Sequence, residues 1–255
     1  MVSILRRKKV RINPKICIGC NICHHYCPAQ AIEQKGGISV INEDLCFECG
    51  TCLRTGICPV KAIYENEEIH QYPRIVRKYF SDPAQKYPGN RDIGGRGTDE
   101  VKTNDVTGRY KKGQIGIGLE IGRPTVGTRL YDLEKITMGL VQAGFDFFEP
   151  DNPVITLMEN PKTGKLKKEV LKERILSAII EMTIPEKELE RCLKLILALS
   201  KKIDTVITID LIACYDSKYN LSVQNIIDQS KFKPLYGAKI NLGFGRCTNK
   251  EQEEG

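Results

Sequence analysis

No apolar run in the 255 residues approaches the roughly 18 that a bilayer crossing requires, so no membrane span is expected. The basic start from Met1 to Lys15 lacks the apolar core that an export signal carries after its charges. Arg6-Arg7 leads into Lys8, Lys9, Val10 and Arg11, where a twin-arginine signal would turn apolar. A cytoplasmic protein is expected. Phosphate-loop patterns are also missing: Gly94-Gly-Arg-Gly97 fits neither G-x-G-x-x-G nor G-K-[ST], and no apolar strand precedes it. The hydrophobic fraction of 41% and charged fraction of 28% are ordinary for a globular chain, which argues against disorder or a fibrous repeat.

Cysteine is what the chain has in unusual supply. Eight of its 11 cysteines fall between Cys17 and Cys58. The first group reads Cys17-Ile-Gly-Cys20-Asn-Ile-Cys23-His-His-Tyr-Cys27-Pro28. The second, Cys46-Phe-Glu-Cys49-Gly-Thr-Cys52-Leu-Arg-Thr-Gly-Ile-Cys58-Pro59, keeps the first three spacings and the final Cys-Pro but widens the last gap from three residues to five. A C-x2-C-x2-C run lets three thiolates curl around one side of a metal cluster while backbone N–H groups turn towards its sulfurs. Zinc sites built from two C-x2-C pairs explain neither the third cysteine of each run nor the distal Cys-Pro. A disulfide framework does not suit a chain without an export signal.

Residues 10–64 resemble a bacterial-type ferredoxin with two 4Fe-4S clusters, whose motif is C-x2-C-x2-C-x3-C-P. In that family the distal Cys-Pro serves the other cluster. The resemblance therefore implies Cys17, Cys20, Cys23 and Cys58 on cluster 1, and Cys46, Cys49, Cys52 and Cys27 on cluster 2. Such an exchange interlocks the two halves and makes metal binding part of folding. With every iron ligated by cysteine, the clusters are expected to pass single electrons rather than transform a substrate. His24 and His25 are read as spacers. The gap from Leu53 to Ile57 is read as an added loop beside cluster 1. After Pro28 and Pro59, the matching tails Ala29–Ile32 and Val60–Ile63 are expected to begin short helices. Thiolate-ligated clusters carry negative charge, so the formal net charge of +7 and pI of about 8.8 overstate how basic the protein is. Arg6, Arg7, Lys8, Lys9 and Arg11 are read as a solvated face, with docking to an acidic partner as the sharper alternative.

The remainder is expected to be α+β. Residues 1–72 form the two-cluster ferredoxin domain, residues 73–112 a Gly/Pro-rich linker, residues 113–214 a second domain and residues 215–255 a C-terminal extension. Within the second domain Ile115, Ile117, Leu119 and Ile121 alternate as in a half-buried strand, and Leu130, Leu133, Ile136, Thr137, Leu140 and Val141 recur at helical spacing up to Gly144. Asn152 to Met158 reads as a strand, Pro161 to Gly164 as a turn and Arg174 to Ile184 as a strand. Pro185 reads as the start of a helix carrying Leu189, Leu193, Ile196, Leu197 and Leu199, and Thr205 to Leu211 as a last strand. That βαββαβ order resembles the ferredoxin-like plait, a four-stranded antiparallel sheet with two helices on one face. Cys192, Cys214 and Cys247 lack ligand spacing; the first two read as small buried hydrophobes. Lys239 to Phe244 reads as a strand before a charged tail.

The expected function is low-potential electron transfer by a subunit or docking partner that delivers electrons to an anaerobic redox enzyme or its reductive activation machinery. The chain reads as an electron carrier or oxidoreductase subunit more than as an enzyme by itself. One alternative makes the plait a metabolite-binding or enzymatic domain, in sulfur or amino-acid metabolism, that consumes the electrons. Another is a nucleic-acid-binding protein with structural clusters, which the lack of paired aromatics on the expected strands argues against.

Overall fold

A computed structural model describes residues 10–85, 110–123, 125–145, 152–213, 218 and 220–232. In the cysteine-rich section, β1 (Arg11–Ile12) pairs antiparallel with β4 (Ile63–Tyr64), bringing the two ends of the section together. Between them lie α1 (Ile22–His25), the hairpin of β2 (Ile32–Lys35) and β3 (Ile38–Ile41), and α2 (Thr51–Arg54). Val10, Ile32, Ile41, Ile63 and Ile69 form its small core, against which the cysteines pack. So little apolar surface gives weak support by itself, which leaves a large share of the stability to whatever the thiols hold.

The tails after the distal cysteines are not helical, contrary to the sequence reading. Gln30 and Lys61 adopt left-handed backbone, φ 49° and 51°, which stops a right-handed helix, and the chain then enters β2 and β4.

In the C-terminal section, β5 (Gln114–Ile121) is the centre of a three-stranded antiparallel sheet, with β10 (Ala178–Pro185) on one side and β11 (Ile207–Ile212) on the other. Register places Ile117 between Met182 and Leu211, and Leu119 between Ile180 and Ile209. The alternating Ile115, Ile117, Leu119 and Ile121 are fully buried, and the same core takes in helices α4 (Leu130–Gln142) and α6 (Leu189–Ser200). The helices touch where Gly139 meets Leu199. On the sheet's other face, the buried ring of Tyr110 covers Gly116.

The strand expected at Asn152 to Met158 is instead mostly helix. Pro153 opens α5 (Pro153–Thr156), and the Asn152 side chain accepts from Val154 N at 2.9 Å, a cap that makes this local sequence start a helix. Asn152 also donates to Ile179 O of β10, at 3.0 Å. Only β7 (Met158–Asn160) follows, pairing with β8 (Lys165–Leu166) in a separate ribbon. The stretch read as one strand from Arg174 divides into β9 (Arg174–Ile175) and β10, with β9 pairing to β6 (Thr128–Arg129). Pro185 ends β10 rather than starting a helix, and a 3-10 turn, Glu186–Glu188, leads into α6. The content is mixed helix and strand; among the described residues the main sheet has three strands where four were expected. The chain's last described helix is α7 (Gln224–Gln229).

The first part of the expected linker is structured. Residues 75–81 form α3 (Ile75–Ser81), whose Val76 and Phe80 join the C-terminal core and whose Ser81 hydroxyl accepts from Leu176 N at 2.9 Å. The rest of that linker, together with Cys214, Cys247 and the strand expected from Lys239, lies outside the described residues. Cys192 is fully buried in α6, and burial pushes its thiol up to about 12, so it packs as a neutral apolar group. Among the described residues no helix is long and apolar enough to cross a membrane.

Because Ile117 is fully buried on the central strand between Met182 and Leu211, Ile117→Ala is expected to cost ~2–5 kcal/mol of stability. The exposed Val206→Ala should stay within about 0.5 kcal/mol. Urea unfolding of anaerobically prepared protein measures both.

Candidate iron-sulfur centre

The two cysteine motifs fold into the same backbone. Two residues after the first cysteine, Gly19 and Glu48 have φ of 66° and 58°; two further on, Asn21 and Gly50 have 60° and 68°. A left-handed non-glycine residue is strained by roughly 1–2 kcal/mol, so repeating it at matched positions marks a site that fixes the loop. The result is a repeated set of amides aimed at sulfur. Gly19 N donates to Cys17 Sγ at 3.5 Å and Glu48 N to Cys46 Sγ at 3.4 Å. Four residues after each distal cysteine, Ala31 N reaches Cys27 Sγ at 3.3 Å and Ala62 N reaches Cys58 Sγ at 3.1 Å. Ser39 N adds a second donor to Cys17 Sγ at 3.4 Å, and Ser39 Oγ holds His24 Nε2 at 3.1 Å. His25 is exposed.

Gly19 has no alternative, because a Cβ there would lie 2.1 Å from the carbonyl oxygen of Gly37 in the β2–β3 turn. The matching Glu48 has room for a side chain, and its carboxylate is wholly buried against Arg74.

The sulfurs surround two cavities. Cys17, Cys20, Cys23 and Cys58 line the first, about 310 Å³ counting the solvent-connected space at its mouth, walled by Ile12 and Ile63. Cys27, Cys46, Cys49 and Cys52 line the second, about 360 Å³, with Val10 and Phe47. Each cavity thus takes three cysteines from one motif and the distal cysteine of the other. The longer gap before Cys58 is absorbed in an exposed turn at 54–56, where Gly56 N donates to Leu53 O at 3.1 Å and the chain re-enters towards the first cavity. Among the described residues no three His, Cys, Asp or Glu side chains converge tightly enough for a single metal ion. The all-thiol donor sets, with amide N–H groups on the sulfurs, fit the chemistry of an iron-sulfur cluster.

Burial pushes the Cys52 thiol up to about 12. It also raises Cys46 well above the ordinary thiol range, with the neighbouring Glu48 charge adding to the effect, and raises Cys23. Without metal these thiols keep their protons at neutral pH, so ligation must displace protons.

The two cavities differ in their surroundings. Cys20 is exposed, and Ile18 and Ile22 beside the first cavity are 63% and 41% exposed. Beside the second, Phe47 is buried against Gly127, where a Cβ would come within 2.3 Å of its ring, and the Arg174 guanidinium stacks at 5.1 Å from the ring centroid. Arg74 binds the Glu48 carboxylate, with Nε donating at 2.8 Å. Arg77 donates to Glu43 O at 2.9 Å and Cys46 O at 2.7 Å and is paired with Glu173. Burial lowers the Arg77 pKa, with Arg74 adding to the effect and Glu173 opposing it. None of Phe47, Glu48, Arg74, Arg77 and Glu173 stood out in the sequence. The only available signal was the helical spacing of Ile75, Val76, Tyr79 and Phe80 inside a stretch whose composition resembles a linker.

Residues 9–59 match the family model of the 4Fe-4S dicluster domain. Over 48 residues the chain is 50% identical to the pyruvate synthase subunit PorD of Thermotoga maritima, covering 18% of this chain and 46% of that protein. It is 45% identical over 40 residues to Ferredoxin-1 of Rhodobacter capsulatus, covering 16% and 62%. It is also 45% identical over 47 residues to a subunit of the ion-translocating oxidoreductase complex of Methanosarcina acetivorans, covering 18% and 17%. The matches thus span about half the length of the first two relatives and less of the third. No solved structure matches the chain. The match assigns residues 9–59 to the 4Fe-4S dicluster domain of the kind found in ferredoxins, which implies two 4Fe-4S clusters as the cofactors of this stretch.

Proposed function

We propose that this chain carries low-potential electrons as a subunit, or docking partner, of a larger redox enzyme. Cys17, Cys20, Cys23 and Cys58 hold cluster 1, and Cys46, Cys49, Cys52 and Cys27 hold cluster 2. The observation that carries this reading is the pair of cavities, each lined by four thiols of which the fourth comes from the opposite motif. A bound 4Fe-4S cluster takes up and releases one electron at a time. Four cysteines per cluster leave no iron free for substrate, so the protein's work is to bind, insulate and present. Gly19, Ser39, Ala31, Glu48 and Ala62 supply amide N–H groups that offset negative charge at the sulfurs. Ile12, Ile63, Val10 and Phe47 keep water from the inner walls. The exposed Ile18 and Ile22 leave the first cavity's rim open to another protein.

Membership of a complex is supported by two relatives whose names make them subunits, one of pyruvate synthase and one of an ion-translocating oxidoreductase complex. On this reading residues 1–72 are the electron-carrying domain. Residues 113–214 are a plait-like unit, and they serve as a docking module.

Anaerobically prepared protein is expected to contain about eight irons per chain and two clusters reducible by one electron each. Cys58→Ser should perturb the paramagnetic signal of one cluster and Cys27→Ser that of the other, while Cys192→Ser changes neither. Zinc in place of iron would overturn the proposal.

Proton competition gives a second expectation. The raised Cys46 and Cys52 thiols rebind protons readily, so cluster loss should accelerate as pH falls and slow as it rises. Bleaching of the iron-sulfur absorbance, followed under argon from about pH 9 to about pH 5, measures it.

A further inference from the structure

Charge is distributed unequally around the two cavities. Among the described residues no charged side chain lines the first, whereas Glu48 lines the second, with its carboxylate wholly buried. Glu48 Oε1 is bound by Arg74, and Oε2 has no hydrogen-bond partner among the described residues. One helical turn along, Arg77 donates to the carbonyl of Cys46, and its guanidinium is paired with Glu173 of the C-terminal section. The Arg77 and Glu173 side chains are only 4% and 13% exposed, so salt and water screen this pair poorly.

On the electron-carrier reading, we propose that Arg77 is a positioning residue that sets the reduction potential of cluster 2 alone, and that Glu173 tempers it from the C-terminal section. When a one-electron donor, such as another iron-sulfur protein, reduces cluster 2, one negative charge is added and no bond breaks. Arg77, one hydrogen bond from the Cys46 backbone, stabilises that added charge, and Glu173 opposes it. Linkage makes the effect reciprocal: whatever draws Glu173 away from Arg77 strengthens the hold of cluster 2 on its electron. A partner that shifts the β9 segment on docking thereby changes where the electron rests.

The test is a redox titration of both clusters in the full-length protein, monitored by electron paramagnetic resonance with iron content as control. Cys46→Ser identifies which signal belongs to cluster 2. Arg77→Met is expected to make reduction of that cluster about tenfold less favourable, a fall of about 59 mV for one electron. Glu173→Gln should move the same cluster in the opposite direction, and Arg77→Lys, which keeps the charge, should stay near the parent value. Cluster 1 should not move. If Arg77→Met does not retain its iron, Glu173→Gln still decides the sign, and a shift in Arg77→Lys would count against a charge effect. Full iron with no shift, equal shifts in both clusters, or shifts of one sign in Arg77→Met and Glu173→Gln overturn the inference. Parent protein without reducible clusters would instead overturn the electron-carrier reading beneath it.

Discussion

A C-x2-C-x2-C loop can wrap only one side of a cavity, so each half of the N-terminal section must finish its neighbour's. Cys58 leaves the second motif to line the first cavity, and Cys27 does the reverse. The rest of the section follows from that exchange. β1 and β4 pair because the two ends must meet, and the repeated left-handed residues turn matched amides onto matched sulfurs. The apolar core is small and thiols form part of its boundary, so the energy that holds the section in one shape comes in large measure from ligation.

From equal backbones the halves diverge through side chains. Ile18 and Phe47 hold the same place after the first cysteine, but Ile18 is exposed while Phe47 is buried between Gly127 and Arg174. Gly19 and Glu48 likewise share a place, one filled by the β2–β3 turn and the other by a carboxylate held by Arg74. The second half thereby becomes a seat for the C-terminal section. Burying a phenyl side chain contributes roughly 1.5–3 kcal/mol and its cation–π contact about 0.5–2 kcal/mol. The partly exposed Arg54–Asp82 pair at the same boundary adds at most about 1 kcal/mol. Packing of Phe47, Val76 and Phe80 dominates this contact, and Arg77 with Glu173 gives it electrostatic specificity.

How much of this the sequence disclosed depended on whether the physics was local. Ligand spacing is local, so the cysteine motifs were legible residue by residue. Helices α4 and α6 and strand β5 were legible because their apolar periods match the faces they bury. The tails after Pro28 and Pro59 misled because nothing in the identity of Gln30 or Lys61 announces a positive φ, which aims the next amides, Ala31 and Ala62, at the distal cysteine sulfurs. Asn152 to Met158 misled for the opposite reason: Val154, Ile155, Leu157 and Met158 suit a strand, but the Asn152 cap and Pro153 impose a helical start. Arg77 was out of reach, since its partners lie 31, 34 and 96 residues away along the chain.

The divergence also gives the proposed electron path a direction. Electron transfer between proteins needs close approach, and the first cavity presents Cys20 at the surface within a rim of exposed isoleucines. Single exposed apolar residues need no explanation, but Ile18 and Ile22 flank the same thiol, which is where a partner's apolar surface would exclude water on contact. The second cavity lies beside Phe47, Glu48 and the α3 arginines, with the exposed Tyr26 at its rim. On the proposed reading, an electron that entered at the first cavity and passed to the second would come within reach of Arg77 and Glu173, in a different part of the molecule from the exposed Cys20. On the subunit reading proposed above, one face could stay docked while the other receives.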